Sequence, residues 1–204
     1  MENYFKLWQE RWWAWFVLQA QRPHALWWLG LISFTDALFF PVAPEIFLVA
    51  LTLAHKERAR SYLAVAITCS ALGAATGYFV AAFLFKQFGE PILAFYNLQG
   101  AFRMARHYIM GHVFLAMAVA SFTPIPDKVF IYAGGFLGVH FVPYFLGYVL
   151  GRGIRMALFV YLTHRFGAEA LVFIKRYFLW VSIFVLVLAI IYAMVRADVL
   201  PQLF

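Results

Sequence analysis

The sequence predicts an all-α integral membrane protein, a polytopic helical bundle with two oppositely facing re-entrant helical hairpins. Of its 204 residues, 65% are hydrophobic and only 12% are charged, about half the charged fraction of a soluble domain. Several apolar stretches approach or exceed the roughly 20 residues that span a bilayer. Paired prolines interrupt two of these stretches, namely Pro41 and Pro44 in the first and Pro124 and Pro126 in the second. Broken backbone at membrane depth must be received by protein or by a water-filled cavity, so each break is predicted to be a hairpin tip.

The composition also excludes several classes of function. The net charge of +7 is spread through the turns, as in segments that face anionic lipid, whereas a nucleic-acid-binding protein concentrates charge on a soluble face. The lone Cys69 excludes a disulfide framework. His112 and His140 have no partner ligand at i+4, and Ser121 lacks the Gly-x-Ser-x-Gly setting of a serine nucleophile. We therefore expect no enzyme activity, no metal, no cofactor and no nucleic-acid partner.

The N-terminal segment, residues 1–23, mixes charged residues with Trp8, Trp12, Trp13 and Trp15. Indole rings favour the membrane interface, so the segment is predicted to be an interfacial helix. The alternative is the ragged start of a membrane helix.

The first apolar stretch, residues 24–54, could span the membrane once or form two half-length helices folded back at the prolines. The hairpin is favoured because the basic turn 55–60 then lies on the same side as Arg11 and Arg22, which agrees with the positive-inside tendency. Residues 24–176 are predicted to be the membrane core.

The next stretch, residues 61–85, holds no charge and is long enough to span the bilayer. Its Gly73 and Gly77 form a small-xxx-small face for close helix packing, and residues 86–91 are predicted to close it. Residues 92–107 are mixed in character and are predicted to lie at the surface.

The second half begins with the apolar residues 108–126 and continues with residues 129–151. In the latter, Gly134 and Gly135, with Gly138, are predicted to give a flexible bend and to act as hinge positions. The last segment, residues 177–204, is predicted to be a C-terminal transmembrane helix and tail.

The two halves of the chain echo each other. Each runs from a proline break through an apolar segment to a Gly-Tyr pair and then a Phe-Gly pair. The pairs are Gly77-Tyr78 and Phe88-Gly89 in the first half, and Gly147-Tyr148 and Phe166-Gly167 in the second. Internal repeats with discontinuous helices in matching positions indicate the central site of a transporter.

Charged residues near the two breaks form the predicted substrate-binding and translocation site. Its members are Asp36, Glu45, Asp127, Lys128, Arg152 and Arg155. Arg152 and Arg155 lie one helical turn apart and share a face, and the planar arginine fork suits a phosphate group. Carboxylates buried in a membrane can hold protons at neutral pH. The alternative interpretation is a set of structural ion pairs that pin the hairpins.

At these residues the chain resembles the DedA family, the bacterial members of the SNARE-associated Golgi (VTT-domain) proteins, over roughly residues 30–170. The resemblance rests on an ordered series of motifs: Asp36, the Pro-x-x-Pro-Glu turn at Pro41, Pro44 and Glu45, the helix with Gly73, Gly77 and Tyr78, and a second turn leading to Gly134-Gly135. Within the family the chain looks closest to the YqaA-like branch. That likeness rests on Phe122-Thr123-Pro124 with Asp127, and on the stretch from Gly151 to Arg155.

The resemblance implies two oppositely facing re-entrant hairpins and a lipid translocase, a flippase or scramblase in the bacterial cytoplasmic (inner) membrane. Its substrates would be undecaprenyl phosphate or phospholipid, and some members depend on the proton-motive force. The functional acidic residues of the family match Asp36 and Glu45, and Lys128 matches the second of two functional arginines. Ser121-Phe122 stands where the first arginine would be, and Arg152 and Arg155 are expected to supply its charge.

Three functions therefore compete at this point. A lipid translocase comes first, with membrane lipids and protons as its partners. A proton- or ion-coupled transporter of a small solute is the second, and a non-transporting membrane protein of envelope assembly is the third. The sequence leaves open the lipid or solute, the direction, the coupling ion, the membrane orientation and whether the protein forms a homo-oligomer.

Overall fold

The computed structural model describes residues 24–39, 44–96, 99–123, 126–167 and 183–188, and within them all regular secondary structure is helical. The elements are α1 (Ala25–Leu38), α2 (Pro44–Ala54), a 3-10 turn (Lys56–Arg58), α3 (Ala59–Leu84), a π-helical turn (Phe85–Gly89), α4 (Glu90–Phe95), α5 (Gln99–Met110), α6 (Val113–Phe122), α7 (Asp127–Leu137) and α8 (Phe141–Phe166). Residues 183–188 are also helical and lie within the predicted C-terminal transmembrane helix. The predicted interfacial helix over residues 1–23 falls outside the described residues.

Two helical stretches in the described part of the chain are long and apolar enough to cross a membrane, Lys56–Phe95 and Phe141–Phe166. At 1.5 Å per residue the second is about 39 Å long, more than the roughly 30 Å of a hydrocarbon core. Large apolar side chains such as Phe79, Phe83 and Leu146 are exposed on these helices. Such a surface suits a lipid environment rather than water.

The first predicted break is an interruption of the helix. Helix α1 ends at Leu38, and α2 begins at Pro44, where the fixed φ of proline suits a first helical position. The two helices pack together through Leu29 of α1 and Phe47 and Leu48 of α2. Residues 24–54 are therefore not one continuous helix. Pro41 lies outside the described residues.

The second predicted break has the same form. Helix α6 ends at Phe122, and α7 begins at Asp127, directly after Pro126. Pro124 lies outside the described residues. The insertion of both helix pairs into the membrane from opposite faces stays a prediction.

Three other boundaries differ from the sequence prediction. Residues 86–91 do not close the membrane helix, because the π-helical turn absorbs the missing backbone donor of Pro91 and the helix continues to Phe95. The apolar stretch 108–126 is divided, since α5 extends to Met110 and α6 starts only at Val113.

The third difference concerns the glycine bend. Gly134 and Gly135 lie inside α7, and the chain turns at Gly138, whose φ is +57°. The N–H of Gly138 donates to the carbonyl of Gly135 at 3.1 Å, and the N–H of Val139 donates to that of Gly134 at 3.2 Å. This is a Schellman cap, so the predicted bend lies at Gly138, and the role of Gly134 and Gly135 as hinge positions stays a prediction.

The chain divides into two compact units. In the described residues, the first unit contains α1, α2, α3 as far as Ala74, and α8 from Met156 onward. The second unit contains α3 from Ala75 onward, α4 to α7, and α8 as far as Arg155.

The first unit has a core formed by all of its helices. Its members are buried apolar side chains, among them Leu29, Phe47, Leu51, Tyr62 and Met156. Helices α1 and α3 approach closely in this unit at two glycines. A Cβ on Gly30 would lie 3.1 Å from the Sγ of Cys69, and one on Gly73 would collide with the carbonyl of Phe34. Because the contacts advance along both helices together, α1 and α3 run parallel.

The second unit repeats this arrangement with different residues. A Cβ on Gly147 of α8 would collide with the carbonyl of Phe114, and one on Gly151 would collide with that of Ala118. Helices α6 and α8 therefore also run parallel. Each unit thus packs the first helix of an interrupted pair against the long helix that follows that pair, with glycine permitting the close approach.

Candidate functional site

The clearest contact among the predicted site residues is a buried ion pair at the second break. Nη1 of Arg152 lies 2.5 Å from Oδ2 of Asp127, and the two side chains are 3% and 6% exposed. Asp127 is the first residue of α7, where the helix dipole favours a negative charge. The guanidinium of Arg152 also lies 6.0 Å from the centre of the Tyr148 ring, within range of a cation–π interaction. Two buried charges thus compensate each other in an apolar stretch.

Arg155 also reaches the second break. Its Nη1 donates a hydrogen bond of 3.1 Å to the carbonyl of Thr123. Thr123 follows the last residue of α6 and is buried, so the bond satisfies a carbonyl at the end of that helix. As the sequence predicts, Arg152 and Arg155 lie one turn apart on one helix.

Lys128 follows Asp127 in α7 and its side chain is half-buried. Four of the six predicted site residues therefore belong to the second unit, and they come from the start of α7 and the middle of α8. Three of these four residues are basic, namely Lys128, Arg152 and Arg155, and one is acidic, Asp127.

The other two predicted residues flank the first break, in the first unit. Asp36 lies in the last turn of α1 and is 6% exposed, and Glu45 is the second residue of α2 and is 3% exposed. The position of Glu45 suits the dipole of α2, but Asp36 lies at the negative end of α1. A buried acid placed against the helix dipole is not explained by helix stability. Such a residue in a membrane stretch is a functional candidate.

The expectation that all six side chains line one shared cavity stays a prediction, as does their role in translocation. An open groove of about 400 Å³ lies in the first unit between α1 and α3. It is lined by apolar side chains and one thiol, those of Leu26, Trp27, Leu31, Phe34, Val65 and Cys69, together with Gly30. This lining suits a hydrocarbon chain rather than a charged headgroup.

The predicted site did not include several buried tyrosines of the second unit. Tyr144 and Tyr148 are fully buried on α8, and their spacing of four residues continues to Arg152 on the same face. That spacing could have revealed them. The hydroxyl of Tyr78 donates to the carbonyl of Val139 at 2.5 Å, and no sequence signal links these two residues. In the described part of the chain, no three His, Cys, Asp or Glu side chains come together as metal ligands.

Comparison with known proteins places this geometry in a family. The VTT domain matches residues 37–165. An uncharacterised protein of Haemophilus influenzae is 26% identical over 139 residues, which are 68% of this chain and 72% of that protein. An uncharacterised protein of Methanocaldococcus jannaschii is 27% identical over 145 residues, which are 71% of this chain and 88% of that protein.

A third relative, from Histophilus somni, is 26% identical over 145 residues, which are 71% of this chain and 74% of that protein. No solved structure matches the chain. The VTT domain and the two apolar helices together indicate a membrane protein. Because the domain match covers more than half of the sequence, the chain belongs to the VTT-domain family, the domain of the DedA proteins.

Proposed function

We propose that the protein is a lipid translocase of the bacterial cytoplasmic membrane, within the YqaA-like branch of the DedA proteins, and that it moves undecaprenyl phosphate or phospholipid with coupling to protons. The observation that carries the proposal is the placement of Arg152 and Arg155. Both lie on α8, which is long enough to cross a membrane, and both reach the break between α6 and α7. An arginine at the centre of a membrane helix costs about 2.5–3.5 kcal/mol on insertion scales. Two of them on one face indicate that this face handles an anion.

The chemistry of the ion pair supports a phosphate ligand. Arg152 holds the carboxylate of Asp127, and arginine binds phosphate and carboxylate oxygens with the same planar fork. Asp127 therefore occupies the position on Arg152 that a phosphate group would take. Binding of a lipid phosphate would keep the buried guanidinium of Arg152 compensated, and the released carboxylate of Asp127 would then need a new cationic partner.

The lengths of the paired helices support re-entrant hairpins. At 1.5 Å per residue, the 14 residues of α1 and the 11 residues of α2 give about 21 and 17 Å. The 10 residues of α6 and the 11 residues of α7 give about 15 and 17 Å. Each is too short for a hydrocarbon core of roughly 30 Å. We infer that each pair enters the membrane and returns, and that its broken tip faces polar surroundings.

The two buried carboxylates supply the proton step of the proposal. Asp36 and Glu45 flank the first break, and a carboxylate that meets a polar pathway inside a membrane is suited to relay protons. Their exchange of protons would accompany rearrangement of the helix pairs. The amides in Asp36→Asn and Glu45→Gln cannot titrate, so each variant should lose the pH dependence of transport. Unchanged pH dependence in both variants would eliminate the proton role.

The test of the function is transport by purified protein in liposomes that contain fluorescent phospholipid or a fluorescent polyprenyl phosphate. Arg155→Lys keeps the charge but removes the fork, so lipid movement should fall at least about tenfold, given that hydrogen bonds to charged groups contribute about 1.5–3 kcal/mol. The matched control is Arg165→Lys, the same change at an exposed position of the same helix, which should transport at the wild-type rate.

Other outcomes separate the competing functions. Wild-type rates in Arg155→Lys would show that fork binding of phosphate is not the role of this arginine. Uptake of a small solute without lipid movement would favour an ion-coupled solute transporter. Neither activity in a well-folded protein would favour a role in envelope assembly.

A further inference from the structure

Two buried helical serines differ from the buried helical threonines Thr52 and Thr163 of the described residues. The side chains of Ser33 and Ser121 are 0% exposed, and within the described part of the chain neither hydroxyl has a hydrogen-bond partner. By contrast, the hydroxyls of Thr52 and Thr163 donate to the carbonyl four residues earlier, at 2.8 and 2.7 Å. A helical serine can make the same local bond, and a buried hydroxyl without one is costly. Both serines are therefore available to a partner from outside the described chain.

The parallel packing of α6 and α8 places Ser121 near the arginines. A Cβ on Gly151 would collide with the carbonyl of Ala118, so residues 118 and 151 lie opposite each other. One turn further along both helices, Ser121 comes opposite the turn of α8 that carries Arg155. The hydrogen bond from Arg155 to the carbonyl of Thr123 shows that this register continues to the end of α6.

Cationic residues lie close to the second break. Asp127 pairs with Arg152, Arg155 donates to the carbonyl of Thr123, and Lys128 follows Asp127 at the start of α7. A guanidinium has five N–H donors, and the carbonyl of Thr123 accepts from one of its terminal nitrogens. By the register of the two helices, Ser121 lies opposite the turn of α8 that carries Arg155, so its hydroxyl would add a neutral donor for an oxyanion held by Arg155.

We propose that Ser121 is a binding residue for a phosphate ester, and that its hydroxyl donates to a phosphate oxygen held by Arg155. The shared chemistry is a phosphate oxygen, whether it belongs to a lipid headgroup or to free phosphate, and the lipid source rests on the proposed function above. Ser33 provides the internal comparison. It is equally buried, but it lies one turn from the acidic Asp36, and neither helix of its pair contains a lysine or an arginine.

The absence of a protein partner for Ser121 makes the test discriminating. Ser121→Ala removes only the hydroxyl oxygen and breaks no hydrogen bond among the described residues, so the thermal stability of the unliganded protein should be unchanged or slightly higher. Binding should nevertheless weaken. A merely structural serine would give the opposite pattern, with lower stability and unchanged binding.

The experiment measures binding to the full-length protein in nanodiscs by calorimetry, with three probes: farnesyl phosphate, short-chain phosphatidylglycerol and inorganic phosphate. Ser121→Ala should weaken binding of the preferred probe about tenfold, which corresponds to about 1.4 kcal/mol. The matched control Ser33→Ala should bind it with wild-type affinity.

The outcomes separate this inference from the proposed function. If the wild type binds only inorganic phosphate and Ser121→Ala weakens that binding, the serine site stands and the lipid source is wrong. If the wild type moves lipid and Ser121→Ala binds every probe as the wild type does, the serine site is overturned while the translocase stands. Wild-type protein that binds none of the three probes overturns the serine site.

Discussion

Removal of only one partner of the ion pair between Asp127 and Arg152 should lower the stability of the protein by an unusually large amount. Their charged atoms lie 2.5 Å apart, and the side chains are 3% and 6% exposed. Arg152→Met strands the buried carboxylate of Asp127, and Asp127→Leu removes the carboxylate partner of Arg152; breaking such a buried pair costs about 3–5 kcal/mol. For a chain of this size, that corresponds to a fall in the unfolding temperature of roughly 6–20 °C.

The double variant Asp127→Leu/Arg152→Met should regain most of this loss, because replacing a buried ion pair by apolar side chains is often neutral or stabilising. If Arg152 also binds substrate, the double variant should be stable and yet inactive in lipid movement. This combination separates a structural contribution from a functional one. Neither single variant can do so, because each lowers stability and activity together.

The assay is thermal unfolding in detergent at a single scan rate, since unfolding of such proteins is often irreversible, followed by transport in liposomes. Glu57→Gln is the control, because Glu57 pairs with His55 at 3.7 Å on an exposed surface and such pairs contribute little. Single variants that unfold at the wild-type temperature would refute the charge-compensation argument. A double variant that transports at the wild-type rate would remove Arg152 from substrate binding.

The remaining structural predictions use the same unfolding assay. Gly151→Ala forces a methyl group against backbone and should lower the free energy of unfolding by about 1–3 kcal/mol. The control Gly100→Ala meets open space and should not lower it. Equal stability of the two variants would contradict the close packing of α8. Gly138→Ala places a side chain at φ +57° and should cost about 1–2 kcal/mol; an unchanged unfolding temperature would mean that the cap relaxes. Tyr78→Phe leaves the buried carbonyl of Val139 without its 2.5 Å hydrogen bond and should cost about 1–3 kcal/mol; no loss would indicate that another donor takes over.

The interruptions of the helices were predictable because proline acts locally. Pro44 and Pro126 restrict the backbone whatever the rest of the chain does, and the structure has a new helix beginning at or directly after each of them. The length of α8 was less evident, since Arg152 and Arg155 interrupt its apolar pattern. Once Arg152 is paired inside the protein, the charge no longer marks a helix end.

The partners of the charges were not predictable from local pattern. Asp127 and Arg152 are 25 residues apart, and they meet only because the start of α7 lies against the middle of α8 in the folded chain. The helix end predicted at Pro91 was wrong for a different reason, because a π-helical turn before this proline lets the helix continue. There the ring of Phe85 stacks on that of Phe102 at 5.0 Å between centroids. This tertiary contact helps to hold the helix in place through the irregular turn.

The two units share one packing scheme but carry different chemistry, and this leads to a final prediction. Asp36 and Glu45 flank the first break, where the paired helices contain no basic residue. Arg152, Arg155 and Ser121 belong to the second unit. If protons are handled by the first group and phosphate by the second, then Asp36→Asn should change the pH dependence of transport and leave phosphate affinity intact, whereas Ser121→Ala should weaken phosphate binding and leave the pH dependence intact. Calorimetry and transport at several pH values on the same two variants test this separation. A variant that alters both properties equally would mean that the carboxylates and the phosphate ligands act as a single site.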